Sequence, residues 1–535
     1  MKRHILLTFA LVLSSVSILP AAQHPRLVVY LSIDQMKAEY LDWYGSDLSG
    51  GFRRMISEGT VYINADLNFA PSETGPGHAA LGTGSYPMHT GIMENTSIDP
   101  VSGRSIYCVE DTTARAVDGY GGGASPRSLL VTGLADWWKK TMPASKVIAA
   151  SLKDRAVILM SGKLPDQAYW YDRRSGRMVT SSHYMRHLPE WVQSFNASDW
   201  VSLHMPDTWT KLLPDSVYDH YGPDEMNGER RVDGSSSFPH LLHEQKKNEQ
   251  LPETPFGDAL LLDFARAAIA SERLGQRGVT DLLILSLSCT DYIGHAYGGN
   301  SHEMIDQIIR LDRGLGRFIA DVEKLLGPGS VFVALSADHA ALPLPEYLSS
   351  VRHLPARRIS IKDVLHPGID SLSHTLELKW HLHEPIIRSY SFLNYGAAST
   401  VGVDSIVLER CIREGLRQID GIAEVYFRRD LLDPASSDKP FVGYLRRGFY
   451  SARGGDFVVL PCEYCLFTNS MTGTSHGTPY AYDTHVPIVF WRGIVAPRTV
   501  ARRVHTVDIA PTIARYFGVR YPPTVDGVPL KEIAP

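Results

Sequence analysis

Asp34, Thr74, Asp291, His295, Asp338, His339 and His476 have the side chains needed to hold two zinc ions around a hydroxyl nucleophile. Three carboxylates, three imidazoles and one alkoxide exceed the roughly four ligands that a tetrahedral zinc accepts, so the set argues for a paired-metal site. The chemistry expected of such a site is hydrolysis at phosphorus. Taken singly, each residue has a plainer explanation as a helix-capping Asp or a hydrogen-bonded His. Their joint occurrence with residues 71–80, PSETGPGHAA, tips the balance. Thr74 would lie there at a helix N-terminus, where free N–H groups and the macrodipole favour a docked phosphoryl group. A threonine hydroxyl is a weak nucleophile at neutral pH, and direct zinc coordination is one way to stabilise its alkoxide. The competing reading makes Ser72 and Thr74 ordinary caps.

The elements that must position these groups are visible as apolar runs, and the candidate ligands stand where the runs stop, as sites do in open α/β sheets. RLVVYLSI (26–33) ends on Asp34, DLLILSL (281–287) runs into Asp291, and VFVAL (331–335) leads to Asp338 and His339. Asp291 and His295 are spaced i, i+4, so one helical turn can present both to one metal. A helix over 302–325 carries Met304, Ile308, Leu311, Leu315 and Ile319 at helical spacing, a core stripe.

With 535 residues and 44% apolar content the chain can bury one large core plus insertions. The expected fold class is α/β, with catalytic segments 23–345 and 472–535 around an inserted cap or rim, 346–471. That insertion is read from short polar and aromatic segments without ligand candidates, after which the chain returns to His476. TVDIAPTIARYFGV (506–519) reads as a helix packing back on the core. The aromatic stretch 169–195 either lines the substrate entrance or covers the core. No internal repeat or low-complexity tract is present.

Lys2, Arg3 and His4 precede an apolar stretch, Ile5 to Leu19, and then Pro20, Ala21 and Ala22, the pattern of a secretory signal over residues 1–22. The stretch is short against the about 20 residues of a membrane span. A soluble product in a bacterial periplasm, or secreted, is expected, without a stable membrane anchor and as a monomer. Loss of Lys2 and Arg3 takes the formal charge from −5 to −7, which offers no basic stripe for nucleic acid. Of the five cysteines, Cys462 and Cys465 form C-E-Y-C, read as a local disulfide in an oxidising compartment.

IDQM (33–36), GGFRRM (50–55), TGPGHAALGTG (74–84), SLKDRAVIL (151–159), YWYD (169–172), TDYIGHAYG (290–298), SADHA (336–340) and HGTPYAYDTHVP (476–487) together resemble the alkaline phosphatase superfamily. Within it they resemble the phosphate-irrepressible bacterial alkaline phosphatases that use threonine. The resemblance spans most of the mature chain. It implies a three-layer α/β/α fold with a mostly parallel sheet, and phosphate monoester hydrolysis through a phosphothreonine at two Zn2+. Asp291, His295 and His476 would hold one zinc, and Asp34, Asp338, His339 and Thr74 would surround the other. Lys153, Arg155 and Asn95 match the groups that contact phosphoryl oxygens in the monoesterases. Two zinc ions, three carboxylates and these two cations leave a positive field, from which a dianionic monoester gains more than a monoanionic diester. The alternative is a nucleotide pyrophosphatase/phosphodiesterase of the same superfamily, without such a cation pair. A sulfatase would need a Cys or Ser nucleophile in a C/S-x-P-x-R setting, absent around Thr74. The chain departs from the family at Ala340 and at Glu94, where glycines are usual, and Glu94 brings a negative charge near the phosphoryl pocket. His78 and His485 are assigned supporting roles.

Overall fold

In the computed structural model, residues 25–99, 102–120, 122–232, 234–388, 390–436, 438–491 and 497–534 are described. The expected leader, 1–22, lies outside them.

LVVYLSI, every residue of which is buried, forms the strand Leu27–Ile33 at the centre of an 11-stranded sheet. Full burial on both faces is what a parallel strand between two helical layers demands. Alternate side chains go to opposite faces. Leu27, Val29, Leu31 and Ile33 join one apolar cluster with Leu283, Leu285 and Val333, while Val28 and Tyr30 join another with Leu282, Ile284 and Ala334. The first cluster is roofed by the helices Gly51–Glu58, Phe256–Glu272 and His302–Leu326, the second by Asp154–Ser161 and Ile509–Tyr516. The expected three-layer α/β arrangement is therefore present.

Leu27–Ile33 pairs in parallel with Asp281–Leu287 on one side and Val331–Ser336 on the other. Val147–Ser151 and Gln167–Asp172 extend the parallel set beyond Asp281–Leu287. Ile488–Trp491 is antiparallel to Val331–Ser336, so the sheet is mixed. Registers Ile33↔Leu287 and Ser32↔Ser336 bring three strand ends level. That alignment is what puts the residues following each strand at one edge.

The stripe expected on the long helix is buried, Met304, Ile308 and Leu315 completely. Asp312, on the same helix, accepts main-chain N–H bonds from Ser49, Gly50, Phe52 and Arg53, capping Gly51–Glu58 from outside that helix. Of the two readings of the aromatic stretch, the structure takes the core one for Tyr169, which is fully buried with ring contacts to Trp191 and Phe264.

Between Val331–Ser336 and Ile488–Trp491 the chain leaves the sheet. It forms small ribbons, among them Ile422–Phe427 antiparallel to Phe457–Pro461, over a separate apolar cluster that includes Ile369, Leu408, Ile412 and Val425. A further cluster ties this region to Ala70, in the loop before the helix Thr74–Thr83, and to Tyr480, just before the helix Ala481–Thr484. Cys462 and Cys465 are free thiols, so the local disulfide read from C-E-Y-C is not formed; the Cys465 N–H donates to the Cys462 carbonyl at 3.0 Å across that turn.

Candidate active site

Each candidate ligand leaves its element at the level edge. Asp34 follows its strand directly, its N–H donating to the Leu287 carbonyl at 2.9 Å, and its side chain is fully buried. Asp291 and His295 lie on the helix Cys289–Tyr297, with His295 Nε2 3.2 Å from Asp291 Oδ1, the contact that i, i+4 spacing allows. Thr74 begins the helix Thr74–Thr83 and is 1% exposed. That helix packs directly on the third strand end: a Cβ on Gly77 would fall 2.3 Å from the Asp338 carbonyl oxygen, so only glycine permits the approach.

The three ligand imidazoles share one design. His295 Nδ1 lies 2.7 Å from the Thr474 carbonyl, His339 Nδ1 3.0 Å from the Ala340 carbonyl and His476 Nδ1 2.5 Å from the Ser72 carbonyl. A carbonyl only accepts, so each Nδ1 carries a proton, and in a neutral ring Nε2 is then the lone-pair donor; burial opposes protonation of His295, but Asp291 outweighs it and raises that imidazole's pKa. Those Nε2 atoms face carboxylates: His339 lies 3.3 Å from Asp338 and 3.6 Å from Asp34, His476 3.8 Å from Asp291. His339 Nε2 and Asp34 Oδ1 are buried and make no hydrogen bond. Ligand atoms of Asp291, His295 and His476 lie within 4.8 Å of one another, as do those of Asp34, Asp291 and His339, and those of Asp34, His78 and Asp338. Buried lone pairs converging without donors are costly unless a cation fills the space, so these residues fit a divalent metal centre.

The charges respond to one another. Burial raises the Asp34 pKa, and nearby Asp338 adds to the rise. Burial also opposes ionisation of Asp291, but His295 and Lys153 outweigh it and hold that carboxyl well below its usual range. Burial lowers His339, and burial with the neighbouring His339 and His295 rings lowers His476 well below the ordinary imidazole range, so both stay neutral, the ligating form. Lys153 Nζ sits 2.7 Å from Asp34 Oδ2 and also pairs with Asp291. It therefore points among the carboxylates, where the resemblance places it against a phosphoryl group. Arg155 reaches Thr74, its guanidinium 3.5 Å from Oγ1. Asn95 Oδ1 accepts the Gly75 N–H at 2.7 Å, which leaves its NH2 beside the start of the helix.

Further side chains hold these groups in place. Gln35, at φ 66°, donates its main-chain N–H to Asp338 Oδ1 at 3.1 Å and its carboxamide to Asp291 Oδ1 at 2.7 Å. Gly294 makes room for it, since a Cβ there would lie 2.0 Å from Gln35 Oε1. Buried Glu73 accepts the Asn95 N–H at 2.7 Å, and Tyr107 donates to Asp154 at 2.6 Å while lying 3.5 Å from Arg155. His78 bonds the Thr74 carbonyl through Nδ1 at 2.9 Å and Ser286 through Nε2 at 2.8 Å, tying helix to sheet. His485 pairs instead with Glu39, at 2.9 Å.

Fold and cluster define a class: three-layer α/β enzymes that gather carboxylates and imidazoles for divalent metal at the carboxyl edge of parallel strands. The family described as Type I phosphodiesterase / nucleotide pyrophosphatase matches residues 28–371, and the chain belongs to that family, within the alkaline phosphatase superfamily. It is 34% identical over 507 residues to alkaline phosphatase PhoV of Synechococcus elongatus, covering 93% of this chain and 91% of that one. It is also 34% identical over 533 residues to a Myroides odoratus protein named calcium-transporting ATPase, covering 95% of each. The crystal structure of alkaline phosphatase PafA superposes with a TM-score of 0.87 at 29% identity, over 96% of this chain and 100% of that one. A PafA mutant substituted at one threonine, one asparagine, one lysine and one arginine superposes equally well. Among the described residues no helix is long and apolar enough to cross a membrane.

Proposed function

We propose that this chain is an alkaline phosphatase that hydrolyses phosphate monoesters through a phosphothreonine at Thr74. As a member of its family it is a hydrolase of phosphate esters, and the names of its alkaline phosphatase relatives support the monoester branch. The observation that carries the reading is the cation at the nucleophile: Arg155 lies 3.5 Å from the Thr74 hydroxyl, at a helix N-terminus. Threonine, asparagine, lysine and arginine are also the types substituted together in the PafA mutant, matching Thr74, Asn95, Lys153 and Arg155.

The donor set suits zinc; Asp291, His295 and His476 would hold one ion and Asp34, Asp338, His339 and Thr74 a second, supplying Lewis acidity and a lowered hydroxyl pKa. Thr74 Oγ1 releases its proton to solvent and bonds to phosphorus as the ester P–O bond breaks in line, and the released alkoxide takes up a proton from solvent. Water then attacks the phosphothreonine, returning the hydroxyl and freeing inorganic phosphate. Arg155, the Asn95 NH2 and Lys153 donate to the nonbridging oxygens, with Lys153 swinging from its carboxylate partners. Gln35 and His78 hold Asp291, Asp338 and the helix in place. Residues 1–22 are assigned as a signal that exports the protein to the periplasm or medium as a monomer, and 346–471 as a cap over the site.

The test is the ratio of kcat/KM for an aryl phosphate and its methyl diester on zinc-loaded protein, with Thr74→Ala and chelated enzyme as controls. A strong monoester preference lost in both controls is expected. Preference for the diester would move the chain to the phosphodiesterase branch that the family description also names.

A further inference from the structure

The alcohol part of a monoester needs a place beyond the phosphoryl group, and the fold leaves one. A cavity of about 260 Å³ opens between the loop preceding Thr74, through Ala70 and Pro71, and the inserted region, through Phe449 and Phe457. A second, of about 300 Å³, continues past Ile106 and Cys108, and the two share Met93, Glu94, Ser97, Ile98 and Arg453. Both adjoin the chemistry through the chain itself: Pro71 precedes Ser72, whose carbonyl holds His476, and Glu94 precedes Asn95. The Glu94 carbonyl lies 3.6 Å from where a Cβ on Gly75 would stand.

The walls are mostly apolar, with Met93, Phe449 and Phe457 buried. Three charges line them, and Asp99, in the second cavity alone, is engaged by the Ser102 N–H and hydroxyl at 2.6 and 2.7 Å. Arg453 commits its guanidinium to the Gly91 carbonyl at 2.6 Å and the Ser128 carbonyl at 2.9 Å. Glu94 is solvent-accessible and among the described residues its carboxylate has neither a hydrogen bond nor an ion pair; burial and nearby Glu73 push its pKa up to about 7, so it is charged at alkaline pH.

We propose that this cavity receives the alcohol moiety of the phosphate monoester, that its apolar walls favour aromatic and aliphatic alcohols, and that Glu94 discriminates against alcohols bearing a second negative charge. The inference rests on the monoesterase reading. A like charge at the mouth of a half-buried cavity weakens such a substrate by ~5-fold.

The experiment compares kcat/KM at about pH 9, where Glu94 is ionised, for phenyl phosphate and 4-carboxyphenyl phosphate on the parent, Glu94→Gln and Ser97→Trp. Glu94→Gln raises the carboxyphenyl-to-phenyl ratio by ~5-fold. Ser97→Trp fills the space shared by both cavities and lowers kcat/KM for phenyl phosphate by ~10-fold, while inhibition by inorganic phosphate, which has no alcohol, is unchanged. An unaltered ratio in Glu94→Gln overturns the charge selection. Parallel loss of phosphate inhibition in Ser97→Trp overturns the cavity assignment. A parent that turns over neither monoester removes the underlying reading, an outcome distinct from both.

Discussion

Two of the clusters of buried acids and imidazoles among the described residues handle their charge in different ways. In the candidate active site every ligand histidine spends Nδ1 on a main-chain carbonyl and turns Nε2 towards Asp34, Asp291 or Asp338. In the second cluster His240 Nε2 closes on Glu303 Oε1 at 2.7 Å, and His302 Nε2 lies 2.9 Å from the Gly222 carbonyl with Nδ1 3.4 Å from Asp224. Burial pushes Glu303 up to about 8, and burial with nearby Glu303 pushes Glu229 to about 8 as well, so at neutral pH these carboxyls hold protons. Burial lowers His240 to about 4, so it is neutral. The second cluster answers burial with protons on Glu303 and Glu229 while Asp224 stays ionised beside His302 and Lys211, whereas the first, although burial raises Asp34, keeps Asp291 and Asp338 ionised and leaves lone pairs for a cation. Residue type alone does not distinguish them; the commitment of Nε2 does.

The comparison breaks most readily at the imidazoles. His476→Ala should lower kcat by ~10³-fold, whereas His240→Ala should leave kcat within about 3-fold and cost ~2 kcal/mol of stability. Equal losses of activity, measured on an aryl phosphate, would show that the two clusters are not different in kind.

Lys153 supplies a sharper cut. Its ammonium neutralises Asp34 and Asp291, so Lys153→Met should destabilise chelated protein by about 3 kcal/mol. Metal-loaded protein should lose less, because the ions replace the missing charge. Thermal melts with and without chelator read the difference, and an identical drop in both would contradict a cation-ready site.

The smallest effect is in pH. Glu303 and Glu229 have folded pKa values raised above the ordinary carboxylate value of 4.5, so the native state binds more protons than the unfolded chain between pH 4.5 and about 8. Their contribution is full below the unfolded value and is lost as pH rises towards 8. Glu303→Gln should flatten that decline, by ~2 °C in Tm between pH 5 and 8. A slope identical to the parent would mean that Glu303 is ionised at neutral pH.

The fold was legible because its strands are fully apolar runs and its longest helix carries an unbroken stripe. The edge position of Asp34, Asp291 and Asp338 followed from where those runs stop, and the pairing of Asp291 with His295 from one helical turn. What stayed hidden depends on partners distant in sequence. Gln35 makes contacts 256 and 303 residues away, and no local pattern announces them. The Lys153 contact with two carboxylates is likewise a product of folding, as is the closed cluster around Glu303. C-E-Y-C misled because spacing alone does not say whether two thiols are joined.

The bond between His476 and the Ser72 carbonyl joins residues 404 positions apart. Asp34 and Thr74 are synthesised early, and the imidazole that completes their neighbourhood arrives only after the inserted region has been made. A polypeptide interrupted within that region would own the acids and the nucleophile yet lack the donor that closes the cage. An ion held by Asp291, His295 and His476 would thus be captured last, so that its retention would report a chain both finished and correctly closed.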